Sequence, residues 1–213
     1  MVAQNWKCSS CGHVSVGVFP PAKCPQCGAA TDRFTQSELL IPADRIDEVI
    51  RACWKVTYGL YLVCSRDGDR VNGQVCNTIF QVTSDPPRVA AAIGRANFTH
   101  ELIARSGIFA VSILGRDDHR MVRRFGYRSG REFDKFKGVP VREAENGCPV
   151  YGEAVGYLEC AVVRELSADV GTHTLFVCDL TGGGMIAGGE PLTYAHYHEV
   201  RAAERAGAGK AGD

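Results

Sequence analysis

The sequence predicts a mostly β protein with some α-helix, preceded by a small separate unit at the N-terminus. Six short apolar segments, separated by glycine, proline and aspartate turn signals, have the length and residue types of strands. Three segments with an apolar repeat of three to four residues predict helices. The third observation is a group of cysteines near the N-terminus whose regular spacing sets it apart from the other cysteines of the chain.

Composition argues against several classes of protein. The chain of 213 residues has 24 basic and 24 acidic side chains, so no positive surplus favours nucleic acid or an anionic membrane surface. Its longest apolar runs fall short of the ~20 residues that span a bilayer, and its N-terminal segment has no apolar signal-peptide core. We therefore expect a cytoplasmic protein that acts on neither nucleic acid nor membrane.

The patterns divide the chain into four parts. Residues 1–36 are predicted to form a small four-cysteine domain, and residues 37–44 a linker. Residues 45–200 contain nearly all the predicted strands and helices. Residues 201–213, rich in alanine and glycine, are expected to be a flexible tail.

Four cysteines form the first candidate site. Two C-x-x-C pairs lie twelve residues apart, and a glycine follows each pair. Two thiolates three residues apart can ligate one metal from a tight turn, and the glycine lets backbone N–H groups point at sulfur. Such a set predicts a tetrahedral site for iron or zinc, because both metals accept four thiolates. The metal ligands are Cys8, Cys11, Cys24 and Cys27.

The residues around these cysteines carry a resemblance. From Trp6 to Phe34 the pattern W-x-C-x-x-C-G…K-C-P-x-C-G-A…F is similar to the rubredoxin-like domain of rubrerythrins. The resemblance implies a mononuclear iron centre that cycles between ferric and ferrous states. A structural zinc ribbon is the alternative, with zinc as the substitute metal in the same site.

Residues 72–99 carry the second candidate site. A strand with small and polar side chains leaves room over a flat ring, and Asn72-Gly73 is interpreted as a kink that brings a ligand close to the backbone. Further polar residues converge on a predicted helix start, where unpaired N–H groups suit a phosphate dianion. The alternative is helix capping by Asn97 or Thr99 without a ligand. The candidate cofactor-binding residues are Gln74, Cys76, Asn77, Thr78, Arg95, Asn97 and Thr99.

Ordered blocks extend this site into a second resemblance. They are N-G-x-V-x-N…F-x-V-T-S-D-P-P-x-V…N-x-T…S-G-x-F-x-V-S-I-L, then G-C-P, AVGYLECAVV, G-T-H and P-L-T-Y. Together they resemble the flavin reductase-like, FMN-binding split-barrel family. The resemblance implies a six-stranded antiparallel split β-barrel that forms a homodimer and binds FMN near the dimer interface. It further implies that residues 74–78 line the isoalloxazine and phosphate path and that Arg95, Asn97 and Thr99 hold the phosphate.

The same resemblance suggests two catalytic residues, His173 of G-T-H and Tyr194 of P-L-T-Y, on the nicotinamide side of the flavin. Two positions depart from the family pattern. Cys76 stands where alanine or serine is common, and Thr172 where an acidic residue often precedes the histidine. The first departure affects packing on the ring, and the second bears on the role of His173.

Two further patterns are weaker signals. Residues 182–187 match G-x-G-x-x-A after a strand, but no helix follows to receive a pyrophosphate. His196 and His198 form H-x-H on a predicted strand without a third ligand, which favours surface or interface histidines over a metal site.

The two modules on one chain favour electron transfer. FMN accepts a hydride from NADH or NADPH, and a four-thiolate iron centre carries one electron at a time. The combination resembles high-molecular-weight rubredoxins, which implies an NAD(P)H:rubredoxin oxidoreductase and a redox partner such as a flavodiiron protein. Two alternatives stay open. One is an NAD(P)H:flavin reductase with a structural zinc ribbon, and the other is a non-catalytic flavin- or haem-binding sensor.

Overall fold

The structure is a computed structural model that describes residues 4–37, 45–53 and 55–208. The chain forms two compact units, Met1–Val56 and Thr57–Asp213. Helix α1 (Ile46–Cys53) lies in the first unit, although the sequence analysis assigned it to the larger domain. The boundaries predicted at 36, 44 and 200 therefore stay predictions.

The first unit contains a small antiparallel sheet. Its strands β1 (Gln4–Cys8), β2 (Val14–Gly17) and β3 (Phe34–Gln36) are ordered β2-β1-β3. The indole N–H of Trp6 donates to the Gly17 carbonyl oxygen at 3.0 Å, which ties β1 to the end of β2. Within the described part of the unit, the apolar cluster has only three buried members, Cys8, Cys24 and Phe34. Such a small apolar core contributes little free energy of folding, so the unit depends on its cysteine site.

The second unit is built on one antiparallel sheet. Among residues 57–208, seven strands follow one hydrogen-bonded path, and a short eighth strand pairs with the longest of them. The resemblance implied six strands, so the strand number differs while the mostly β fold is confirmed. In sheet order the strands are β5 (Arg70–Cys76), β4 (Tyr61–Asp67), β8 (Ile108–Ile113), β11 (Gly156–Val162), β13 (His173–Met185), β7 (Pro87–Gly94) and β6 (Ile79–Ser84), with β12 (Ala168–Asp169) on β13.

Three helices and a small hairpin accompany this sheet. They are α2 (Phe98–Ser106), α3 (His119–Gly126) and α4 (Tyr194–Ala208), with β9 (Val141–Glu143) paired to β10 (Pro149–Tyr151). Gly107 ends α2 in the left-handed region, with φ of 75°. No helix within the described residues is both long and apolar enough to cross a bilayer.

Helix α4 corrects two expectations. His196 and His198 lie on this helix and not on a strand. Residues two apart on a helix point in different directions, so the H-x-H pair does not present both rings to one ligand. The predicted tail is helical through Ala208, because Tyr197 of the same helix is buried in the second unit's core and anchors it. Residues 209–213 lie outside the described residues.

Gly73 does not kink the chain. Strands β4 and β5 pair in unbroken register, with Cys64 opposite Gly73. A Cβ atom at Gly73 would lie 2.9 Å from Cys64 Sγ, closer than side chains tolerate, and 3.2 Å from Phe125 Cδ1, a tight contact. The glycine therefore makes room for α3 to pack on β5. The expected close approach of a ligand at this point was wrong, because core side chains occupy the space.

Two apolar clusters fix the site region. One consists mainly of side chains from the strands of the sheet, and its members Ile93, Phe109 and Val111 are fully buried. The other joins the sheet to α3 and α4 through residues such as Leu62, Phe125 and Leu192. Because α3 is held by this second cluster, the chain that leaves α3 begins from a fixed point beside β5.

Candidate functional site

The four cysteine sulfurs converge on one point. All four Sγ atoms lie within 4.8 Å of one another. Cys8 Sγ is 3.8 Å from Cys27 Sγ, and Cys11 Sγ is 3.6 Å from Cys24 Sγ. With metal–sulfur bonds of about 2.3 Å, sulfurs in a tetrahedral site lie about 3.8 Å apart. A disulfide would bring two sulfurs to about 2.05 Å, so the geometry fits a metal and not a cross-link.

Each C-x-x-C pair forms the same tight turn. The N–H of Gly12 donates to the Cys8 carbonyl oxygen, and the N–H of Gly28 donates to that of Cys24. Both glycines have positive φ, at 78° and 75°, as the sequence predicted for these turns.

The turns place backbone N–H groups near sulfur. Burial raises the pKa of the Cys8 thiol, but the N–H groups of Ser10 and Cys11 outweigh it and lower that pKa to about 7. The pKa of Cys24 is lowered in the same way, by the N–H groups of Cys27 and Gln26 against burial. The N–H group of His13 lowers the pKa of Cys11, but burial and the neighbouring cysteine sulfurs outweigh it and raise that pKa to about 12. The backbone of each turn therefore favours thiolate, the form that binds metal, at the first cysteine of its pair.

A cavity of about 380 Å³ lies in the second unit. Its walls are β5, the start of α2, the end of α3 and the segment that follows α3. We call residues 126–135 the cavity loop. The lining residues are Asn72, Gln74, Val75, Ala96, Asn97, Phe98, Phe125, Gly126, Tyr127, Arg128, Ser129, Gly130, Arg131 and Lys135.

The start of α2 faces this cavity with its backbone donors free of side-chain caps. Asn97 occupies the N-cap position, but its side chain makes no capping hydrogen bond. Thr99 does not cap the helix either, since its hydroxyl is buried and accepts a hydrogen bond from Asn72 Nδ2 at 2.8 Å. Side-chain capping, the alternative interpretation of these residues, is therefore wrong. A helix start left in this state suits an anion.

The chemistry of the lining residues fits a phosphate-bearing flavin. Gln74 Oε1 is buried without a hydrogen-bond partner among the described residues, and an amide acceptor of this kind suits an N–H or O–H of a ligand. Three cations of the cavity loop line the opposite wall, namely Arg128, Arg131 and Lys135. The combination of an unpaired acceptor, a free helix start and a cationic wall is what a polar ring with a phosphate chain requires.

Lys135 anchors the cavity loop to the sheet. Its side chain is 4% exposed, and its ammonium group donates to the carbonyl oxygens of Gly73 at 2.9 Å and Phe125 at 3.2 Å. Burial lowers the pKa of Lys135. Arg124 of α3 donates in turn to the carbonyl oxygen of Lys135. The hydrogen bonds of Lys135 and Arg124 hold the C-terminal end of the cavity loop against β5 and α3.

The structure places only part of the predicted cofactor set at the cavity. Gln74 and Asn97 line it. Arg95 is paired with Asp169 instead, and Thr99 lies beneath the surface against Asn72. The remaining three residues, Cys76, Asn77 and Thr78, follow or end β5 and are not among the lining residues.

Cys76 and Thr78 bond to the neighbouring strand. Thr78 Oγ1 donates to the Ala92 carbonyl oxygen at 2.7 Å and lies 3.0 Å from Cys76 Sγ. Burial raises the pKa of Cys76, so the thiol stays protonated. These two side chains join the end of β5 to β7.

The two predicted catalytic residues lie in different surroundings. His173 begins β13 opposite Gly94, and its Nδ1 lies 2.8 Å from Thr172 Oγ1. A Cβ atom built at Gly94 would be 3.1 Å from Asn97 Nδ2 and 3.6 Å from His173 Nε2, so His173 lies beside Asn97. Tyr194 begins α4, with its ring edge-on to His198 at 4.4 Å between centroids.

The cavity loop is the part of the site that the sequence reasoning did not resolve. No residue of this loop was a predicted site residue, yet the loop supplies seven lining positions, namely the continuous run from Gly126 to Arg131 and Lys135 beyond it. A usable signal was present: three basic side chains alternate there with aromatic and glycine residues, and two acids accompany them.

Comparison with known proteins agrees with the two units. The model of the flavin reductase like domain matches residues 54–202, and the model of the rubrerythrin, rubredoxin-like domain matches residues 6–35.

Two curated proteins are similar at comparable identity. A high molecular weight rubredoxin of Moorella thermoacetica is 42% identical over 153 residues, 71% of this chain and 66% of that protein. A ferric-chelate reductase (NAD(P)H) of Archaeoglobus fulgidus is 41% identical over 154 residues, 71% of this chain and 90% of that protein. The match thus spans slightly less than two thirds of the first relative and most of the second.

A solved structure gives the same assignment. The NADH:FAD oxidoreductase SgcE6 of Streptomyces globisporus C-1027 superposes with a TM-score of 0.66 at 26% identity, covering 76% of this chain and 94% of the other. The chain belongs to the flavin reductase-like family of NAD(P)H-dependent flavin oxidoreductases and carries a rubredoxin-like four-cysteine domain ahead of it.

Proposed function

We propose that the protein is an electron-transfer flavoprotein with two redox groups on one chain. It takes a hydride from NAD(P)H onto FMN and passes single electrons to an iron centre held by the four cysteines. A partner protein, such as a flavodiiron protein, then receives the electrons. One observation supports this most strongly. The same polypeptide has a four-sulfur cluster whose geometry suits a metal and a cavity whose lining suits a phosphate.

The cavity supports FMN through its own residues. Bound flavin supplies the conversion between two-electron and one-electron transfer. The start of α2 and the cationic cavity loop would bind the phosphate, and Gln74 would accept a hydrogen bond from the ring or ribityl chain. His173, beside Asn97, is proposed to orient the nicotinamide, while Tyr194 stays a weaker candidate because it packs on α4's own His198.

The four-cysteine site supports iron as the resident metal. Cys8 and Cys24 are buried, whereas Cys27 is exposed. One ligand sulfur at the surface gives electrons a short way in or out, and the buried pair keeps water from the metal. A short linker to the flavin domain raises the effective concentration of one redox group at the other. Zinc would fit the same sulfurs but would carry no electron.

A homodimer is part of the proposal. Strand β6 forms one end of the sheet path, and Phe80 and Val82 there are 55% and 47% exposed. The pairing of β6 with β7 shifts register between Gln81 and Thr83, and both of these apolar side chains are exposed. We propose that a second copy covers them. All ten cysteines are free thiols, which suits the reducing cytoplasm that we propose as the location.

Reduction of chelated ferric iron is a second candidate function. The similar protein of Archaeoglobus fulgidus, 41% identical and covered over 90% of its length, is a ferric-chelate reductase. In this case the flavin domain would reduce the iron complex directly. The four-cysteine domain would then be dispensable for activity.

One experiment separates the two functions. The protein is loaded with iron and FMN, and NADH and NADPH oxidation is followed under anaerobic conditions with either an oxidised flavodiiron protein or ferric citrate as acceptor. The Cys27→Ser variant is assayed in parallel. Our proposal requires that the variant loses electron delivery to the protein acceptor while NAD(P)H still reduces its flavin. Full delivery by the variant would reject the iron centre as a carrier and favour direct reduction by the flavin domain.

A further inference from the structure

We propose that Arg128 is the residue that distinguishes phosphate-bearing flavins from riboflavin. This inference rests on the proposed function, because it assumes that the cavity holds a flavin. The family resemblance assigns the phosphate to Arg95, Asn97 and Thr99; of these, only Asn97 lines the cavity, and the Arg95 guanidinium is paired with Asp169. The cations that do line the cavity belong to the cavity loop.

The three cations of the cavity wall differ in the hydrogen-bond partners that they already have within the protein. Arg131 Nη1 donates to Glu101 Oε2 at 3.0 Å. The Lys135 ammonium group uses two of its three N–H donors in hydrogen bonds to the carbonyl oxygens of Gly73 and Phe125. Arg128 has neither a carboxylate nor a carbonyl partner among the residues that the structure describes. Its five N–H donors are thus available to a ligand.

Arg128 is nevertheless held in position. Its guanidinium carbon lies 4.5 Å from the centroid of the Phe133 ring, which is also on the cavity loop. Stacking on an aromatic face fixes the plane of a guanidinium while leaving its N–H edges open. A phosphate can then accept two parallel hydrogen bonds from one edge, a geometry that lysine does not offer.

The neighbouring arginine is organised for a structural role. Arg131 and Arg70 lie over the same Phe98 ring, at 4.7 and 5.0 Å from its centroid. Both donate to the carboxylate of Glu101, one to each oxygen. This arrangement ties the middle of the cavity loop to α2 at Arg131. Arg128 therefore lies between two fixed points, the end of α3 at Gly126 and the attachment of Arg131.

The opposite side of the cavity completes the phosphate site. Asn97 and Phe98 begin α2 there, and Asn97 makes no side-chain capping hydrogen bond, so an uncapped helix start borders the same space as Arg128. A dianion between a helix start and a guanidinium receives charge-assisted hydrogen bonds from both. Riboflavin has no phosphate and cannot use either.

The test compares two ligands in four proteins. Dissociation constants for FMN and riboflavin are measured by quenching of flavin fluorescence in the wild type, Arg128→Gln, Arg128→Lys and the control Arg116→Gln. Arg116 is an exposed arginine paired with Glu190 and does not line the cavity. We expect Arg128→Gln to weaken FMN binding about ten- to a hundredfold, the usual value of hydrogen bonds to a charged group, and to leave riboflavin binding unchanged.

The outcomes are distinguishable. Arg128→Lys should recover part of the preference for FMN, and Arg116→Gln should retain all of it. Equal losses for both ligands would make Arg128 a structural residue, and an unchanged ratio in Arg128→Gln would place the phosphate elsewhere; either result overturns the inference while the proposed function stands. Binding of neither flavin by the wild type would overturn the proposed function as well.

Discussion

Gly130 offers a direct test of how closely the cavity loop lies on the sheet. A methyl group at this position would be pressed against Asn72 Oδ1 and would lie only 2.7 Å from Asn72 Cγ. Asn72 cannot turn aside, because it is 4% exposed and donates to Thr99 Oγ1 at 2.8 Å. Carbon atoms in contact lie about 3.5–4.0 Å apart, so the loop of Gly130→Ala must move outward by about 1 Å.

The displacement has two measurable consequences. Overpacking of this kind costs about 1–3 kcal/mol in the free energy of unfolding. Moving the cavity loop also separates its cations from the start of α2, and we expect FMN to bind at least about tenfold more weakly, since charge-assisted hydrogen bonds depend on distance. Urea unfolding and quenching of flavin fluorescence measure the two effects.

A matched glycine serves as the control. A Cβ atom at Gly184 of β13 would meet Tyr157 Cε1 at 3.5 Å, an ordinary contact, and Gly184 does not line the cavity. Gly184→Ala should therefore leave FMN binding within twofold of wild type. If Gly130→Ala also binds FMN within twofold, the cavity loop does not contribute to the site as described.

Two further predictions concern the metal and pH. Cys27→Ser should lose the tetrahedral metal and its visible absorption, whereas serine at the exposed Cys53 should retain full metal content by elemental analysis; equal retention in both variants would contradict the assigned ligands. The Tyr151 hydroxyl can donate to either Asp118 Oδ1 or Glu153 Oε2. Burial is the main reason why the pKa of Asp118 is raised. The folded state therefore binds this proton more tightly, so the unfolding free energy of the wild type relative to Asp118→Asn should fall as pH rises through the raised pKa, above about 4. A difference that stays constant or grows with pH in urea titrations would refute this.

The four-cysteine site could be predicted from the sequence because its information is local. Two C-x-x-C pairs, each followed by glycine, specify turns that depend on few other residues, and Gly12 and Gly28 take the positive φ that such turns require. The hairpin of β4 and β5 also depends on local information, because its turn contains Asp67-Gly68-Asp69 and Gly68 takes a positive φ of 60°.

The cavity was predicted only in part because its walls come from distant segments. Gln74 and Asn97 were found from their own neighbours in sequence, yet Arg128 reaches the site only through the packing of α3 on β5. The pairing of Arg95 with Asp169, 74 residues away, could not be read from the neighbours of Arg95 in sequence. Helix α4 was mistaken for a strand and the start of a tail because Tyr197, whose burial anchors α4, carries no helix signal of its own.

The central claim is that flavin and iron exchange electrons within one protein. Rapid anaerobic mixing of the FMN- and iron-loaded protein with NADH or NADPH tests it directly, with flavin and ferric-thiolate absorption followed separately. Our account predicts that the ferric absorption bleaches after the flavin is reduced, at a rate independent of protein concentration. Reduced flavin beside an unchanged ferric signal, or a protein that retains only zinc after iron is offered, would contradict it.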